Sequence, residues 1–83
     1  MPRYVVEREF PEPVSNDALQ AVGKALGECL PRHGAKHLGS LLSADRKRMI
    51  CQFEAPGAEE VKDANRSAGA AFYRVWQADW LGP

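Results

Sequence analysis

Apolar residues in this chain alternate between two spacings, one suited to strands and one to helices. Arg3 to Glu9 (Arg-Tyr-Val-Val-Glu-Arg-Glu) is rich in β-formers and ends at Phe10-Pro11-Glu12-Pro13, which cannot continue a central strand. Ser15-Asn16-Asp17 is a helix start: Ser15 or Asn16 can accept from the unpaired first-turn N–H groups, and Asp17 suits the positive end of the dipole. Leu19, Val22, Leu26, Cys29 and Leu30 then recur at helical spacing, and Pro31 and Gly34 close the helix. Lys36 to Ser43 and Arg48 to Ala55 read as two strands around a turn at Asp45-Arg46. Pro56-Gly57 opens a second helix, Ala58 to about Ala68, striped by Val61, Ala64 and Ala68 and stopped by Gly69. Tyr73 to Trp80 is the last strand, and residues 81–83 form a tail.

The order β-α-β-β-α-β is the ferredoxin-like arrangement, an α+β fold spanning residues 1–83 as one domain. Four antiparallel strands carry two helices on one face. The other face has no helix to cover it, yet apolar residues stand on both sides of the strands: Val5 beside Val6, Ile50 beside Met49, Trp76 beside Val75. Face-to-face pairing of two copies is the simplest cover, so a homodimer is expected. Symmetric closure of the central hairpin sets Leu38 opposite Phe53, Ser40 opposite Cys51 and His37 opposite Glu54. Gly23 and Gly27, four apart in the first helix, suggest close approach to the sheet or to a partner.

Size sharpens the case for a second chain. Eighty-three residues with 45% hydrophobic content can form a core, but a thin one. Lys plus Arg is 11 and Asp plus Glu is 11, so the chain lacks the basic surplus for gripping nucleic acid or an anionic membrane. No apolar run approaches the roughly 20 residues of a membrane span, and Met1-Pro2-Arg3-Tyr4 does not open a signal peptide, so a cytoplasmic location is expected. Cys29 and Cys51 form no C-x-x-C motif and read as reduced, buried thiols.

Catalytic signatures are missing. There is no glycine-rich phosphate loop, no G-x-S-x-G and no H-E-x-x-H. Cys51 and His37 are the one nucleophile–base combination to consider, and the symmetric register places them on opposite faces. The basic run Arg46-Lys47-Arg48 reads as protection of a hairpin tip. Metal binding is the stronger chemistry. His37 and Glu54 are expected cross-strand neighbours, and Glu7 and Glu9 share one side of a strand that pairs with the third, so a carboxylate can approach Glu54. Imidazole with carboxylates suits nickel, zinc or a similar divalent ion.

Tyr4-Val5-Val6-Glu7-Arg8, Cys51-Gln52-Phe53-Glu54-Ala55-Pro56 leading into Ala58-Glu59-Glu60-Val61, and Arg74-Val75-Trp76 together resemble a family of small, mostly uncharacterised proteins, some described as nickel-binding. Gly34 and Ser40 also fall where that family commonly has Gly and Ser. The resemblance implies a ferredoxin-like fold, a dimer, and metal binding in at least some members. Two departures remove potential ligands: Gly57 stands where the family usually has Asp, and Lys62-Asp63-Ala64-Asn65-Arg66 lacks the histidine many relatives carry nearby.

Two functional classes follow. The first is a small non-enzymatic dimer binding a divalent metal such as nickel through His37 and Glu54, with Glu7 or Glu9 assisting. The second is a dimeric α/β-barrel-like protein that encloses a small apolar ligand or catalyses cofactor-independent oxygenation, with Trp76, Phe53, Tyr73 and Met49 as lining or interface. A bound ion at His37 supports the first; an apolar cavity with polar groups converging on it supports the second.

Overall fold

A computed structural model describes all residues, Met1 to Pro83. Strand β1 is Arg3–Glu9, helix α1 Asn16–Cys29, β2 Lys36–Leu42, β3 Arg48–Glu54, α2 Ala58–Ser67 and β4 Arg74–Ala78, with a 3₁₀ turn at Pro31–His33. The strands form one antiparallel sheet in the order β2-β3-β1-β4, the ferredoxin-like topology the sequence predicts. The molecule measures 18 Å along its shortest axis, a slab of one helical layer on one sheet. Strand β4 ends before the predicted Trp80 because Ala78 pairs with Arg3, the first residue of β1, and nothing lies beyond it to pair.

Local chemistry accounts for the element ends. Ser15, in extended conformation, accepts from the Ala18 N–H at 3.1 Å and caps α1. Gly34 takes the left-handed conformation (φ 67°) that turns the chain from the 3₁₀ turn into β2. Gly57 precedes α2 with no side-chain cap. The hairpin tip does more than protect an edge. The Arg46 guanidinium donates to the Val14 carbonyl and to Asn16 Oδ1, both at 2.7 Å, and so fastens the tip to the start of α1.

The hairpin register departs from symmetry. Ser40 pairs with Cys51 as predicted, but His37 pairs with Phe53 and Lys36 with Glu54, because a bulge at Leu38 inserts an unpaired residue between His37 and Gly39. Leu38 therefore does not face Phe53, and His37 does not face Glu54. On the N-terminal side of the bulge every side chain changes faces.

The core gathers Tyr4 and Val6 of β1, Cys51 and Phe53 of β3, Val61 and Ala64 of α2, and Leu26 with Leu30 from the end of α1. Only 15 of 83 residues are buried, so the margin is as thin as the size implies. Both cysteines are buried free thiols. Helix α1 reaches the core mainly through its C-terminal half: Leu26 and Cys29 are its buried residues, while Val22 packs against the core half-covered, Leu19 is half-covered and Ala18 is exposed.

Candidate functional site

The incomplete seating of α1 leaves a cleft of about 450 Å³ between this helix and the helix-bearing face of the sheet. Phe10, Val14, Leu19, Val22, Leu26 and Met49 supply apolar wall, and Gly23 and Gly27 complete the helical side. A Cβ added at either glycine would meet nothing within 4 Å. These glycines therefore mark empty space within the chain, not the close approach to the sheet considered above.

Polar groups enter the cleft at separate places. His37 Nε2 and Ser40 Oγ are hydrogen-bonded at 2.8 Å, and the His37 ring leans on Phe53 with centroids 5.2 Å apart. The bulge puts His37 on the same face as Cys51, and both line the cleft, which corrects the expectation of opposite faces. The His37–Ser40 pair was not anticipated. No carboxylate reaches the ring to orient it, so the third member of a hydrolytic triad is lacking.

Arg8 is the other unanticipated group. It is 3% exposed and lines the cleft. Its Nη1 donates to the Ala70 and Ala71 carbonyls, each at 3.1 Å, and its Nη2 to Asn65 Oδ1 at 2.6 Å. Asn65, itself fully buried, donates back to the Val61 carbonyl at 2.8 Å. The signal was present in the sequence: Arg8 shares the parity of Tyr4 and Val6 and so falls on the buried face of β1.

The opposite, open face holds most of the other predicted site residues. Glu7 accepts from the Trp76 indole N–H at 2.8 Å, the Tyr73 hydroxyl at 3.0 Å and Arg74 Nε at 2.9 Å. The indole N–H, foremost, holds the Glu7 carboxyl below the ordinary glutamate range; the Tyr73 hydroxyl and the charges of Arg74 and Arg48 act the same way against partial desolvation. Around this cluster Leu41, Ile50 and Trp76 are exposed, with Leu41 at 69%.

The predicted metal residues are not brought together. Glu54 pairs with Lys36 and Arg3, Glu7 with Ile50 and Arg74, and Glu9 with Arg48. Glu54 is four steps along β3 from Ile50, the partner of Glu7, a distance of roughly 13 Å. His37 is on the other side of the sheet. No group of three or more His, Cys, Asp or Glu side chains is placed to share an ion. Of the predicted lining, Met49 borders the cleft, Phe53 is fully buried in the core, and Tyr73 and Trp76 surround Glu7 on the open face.

Comparison with known proteins places this arrangement. Residues 4–77 match the sequence model of a family described as nickel responsive protein SCO4226-like. The fold is similar to the crystal structure of SCO4226 from Streptomyces coelicolor A3(2), with a TM-score of 0.86 over 96% of this chain and 99% of that one, at 14% identity. No curated protein matches the chain. The ligands that a resident nickel ion needs are not assembled by the residues of one chain here. No helix is long and apolar enough to cross a membrane.

Proposed function

The chain belongs to the nickel responsive SCO4226-like family, and we propose that it works as a small non-enzymatic binding protein whose site is the cleft beneath α1. The observation that carries this reading is the cleft itself. At about 450 Å³ it falls within the usual range of small-molecule sites, and its walls are apolar with a few polar groups entering. A metal reading rests on the family description, since His37 and Glu54 point to opposite faces of the sheet. We also propose that the chain acts as a homodimer through the open face. Leu41 and Ile50 form one cross-strand row with Glu7, and Trp76 lies in the next row beside Val5, so exposed apolar residues stand on both sides of β1 on this face.

Fluorescence titration with N-phenyl-1-naphthylamine, a neutral apolar probe, tests the cleft. Saturable binding is expected for the native chain and its loss in Gly23→Leu, whose side chain fills the space while α1 gains helix propensity. Binding that survives Gly23→Leu unchanged places the probe elsewhere and removes the cleft from the account. A parallel thermal scan with nickel decides the metal reading. A rise in Tm that disappears in His37→Ala would restore His37 as a ligand, by mass action on the native state.

A further inference from the structure

Resting on that reading of the cleft, we infer that its ligand is an amphiphile with an anionic head, an aliphatic or aromatic carboxylate, and that Arg8 is the group that receives the carboxylate. The ion pairs of the chain are Lys62–Glu59, Arg66–Asp63 and Arg74–Glu7. Arg8 is thus a guanidinium, 97% covered by its 3% exposure, with no carboxylate partner. Burial of a charge is costly unless an opposite charge and hydrogen bonds meet it. The Ala70 and Ala71 carbonyls follow the C-terminal end of α2, so the negative pole of that helix offsets part of the charge. The other acceptor, Asn65 Oδ1, is neutral, so no opposite charge meets the guanidinium.

Hydrogen-bond counting identifies the free donors. Guanidinium has five N–H donors. Nη1 uses two on the Ala70 and Ala71 carbonyls and Nη2 uses one on Asn65. The Nε–H and one Nη2–H remain. No fully buried side-chain nitrogen or oxygen lacks a partner, so the unbonded Nε touches accessible space. Arg8 lines the cleft, whose walls beyond the guanidinium are mostly apolar, with His37 and Ser40 as the polar exceptions. Donors left without an acceptor on a fixed, planar cation suit a carboxylate, and the mostly apolar walls suit the rest of an amphiphile. The structural work of Arg8, holding the connection between α2 and β4 against β1, uses the other three donors and leaves these two free.

Displacement of N-phenyl-1-naphthylamine by decanoate and by decanol separates this inference from the cleft itself. Decanoate is expected to displace the probe from the native chain at a concentration about tenfold or more below decanol, the size of a charge-assisted hydrogen bond. In Arg8→Gln the two are expected to act alike. Because Arg8 is buried, that variant can lose its fold, and Asn65→Asp gives a second reading. Asn65→Asp keeps Arg8 and sets a carboxylate against it, so the preference for decanoate should fall there too. Equal displacement by decanoate and decanol from the native chain overturns the anionic head and leaves the cleft standing. A preference that persists in both variants removes Arg8. A probe that never binds takes down the cleft reading and this inference with it.

Discussion

Replacing Gly23 and Gly27 by alanine should make this protein more stable, and the size of the gain measures how far α1 stands from its surroundings. Glycine costs a helix interior about 1 kcal/mol against alanine through its excess backbone freedom. A closely packed glycine repays part of that cost by letting another backbone approach. Here a methyl at either position meets nothing within 4 Å, so no contact opposes the gain. Each substitution should therefore add about 1 kcal/mol, and the pair about 2 kcal/mol. For a domain of this size each step corresponds to a rise in Tm of roughly 4–8 °C. Urea unfolding followed by far-ultraviolet circular dichroism checks it, with the midpoint rising and the slope constant. Gly34→Ala is the control of opposite sign. Its Cβ would make an ordinary 3.5 Å contact with the Pro56 ring, but its φ of +67° strains an L-residue, and a loss of about 1–2 kcal/mol is expected. Destabilisation by Gly23→Ala or Gly27→Ala would refute the reasoning. It would mean that another surface, such as a second copy of the chain, lies against the glycines in solution.

Three further outcomes follow from the packing and the charges. Glu7 has a folded-state pKa below its unfolded value, so its contribution is complete above the ordinary glutamate range and disappears as pH falls through the lowered value. Native Tm should accordingly drop more steeply on acidification than that of Glu7→Gln, and parallel curves would show that the Trp76, Tyr73 and Arg74 contacts do not persist in solution. Ile50→Lys, on the open face, should convert a sedimenting dimer to monomer at micromolar concentration while leaving probe binding in the cleft intact; a native monomer would end the dimer proposal. Phe53→Ala should cost about 3–5 kcal/mol, a large part of the stability of so small a domain, because Phe53 is fully buried at the centre of the core; a loss under about 1 kcal/mol would contradict that placement.

The fold was readable because each element carries a local signal. Ser15 caps, Gly34 and Gly69 turn left-handed, and the strand and helix periods differ. The site was less readable because one residue decides it. Symmetric closure from the Asp45-Arg46 turn gives Ser40 opposite Cys51, which holds, and fails two residues further out at the Leu38 bulge. Gly39 was the available warning, since an isolated glycine within a strand often accompanies a bulge. Without the bulge His37 faces Glu54 and suggests a metal; with it His37 bonds Ser40 and faces the cleft. The seating of α1 had no comparable signal. Its stripe of Leu19, Val22 and Leu26 says which side turns inward, but not how far the helix stands from the sheet. That distance depends on the bulk of residues remote in sequence, and only the glycines hinted at it.

These two surprises bear on how a neutral chain of 83 residues completes its core. The unpaired face of the sheet invites one answer, a second copy. The structure poses a second, separate demand, because the cleft lies on the helix side and the exposed row of Leu41 and Ile50 on the other. A partner seated on the open face cannot fill the cleft through an 18 Å slab. Nor can collapse of α1 relieve it simply: the start of that helix is fastened to the hairpin tip by the Arg46 bonds to Val14 and Asn16, and its end is held by buried Leu26 and Cys29. A helix fixed at both ends, with Gly23 at its midpoint and a buried arginine without a carboxylate partner lining the space beneath, retains a hollow that costs stability when empty. An occupant would relieve that cost, and because the hollow and the open face lie on opposite sides of the sheet, the proposed ligand and the proposed second copy would complete the core independently.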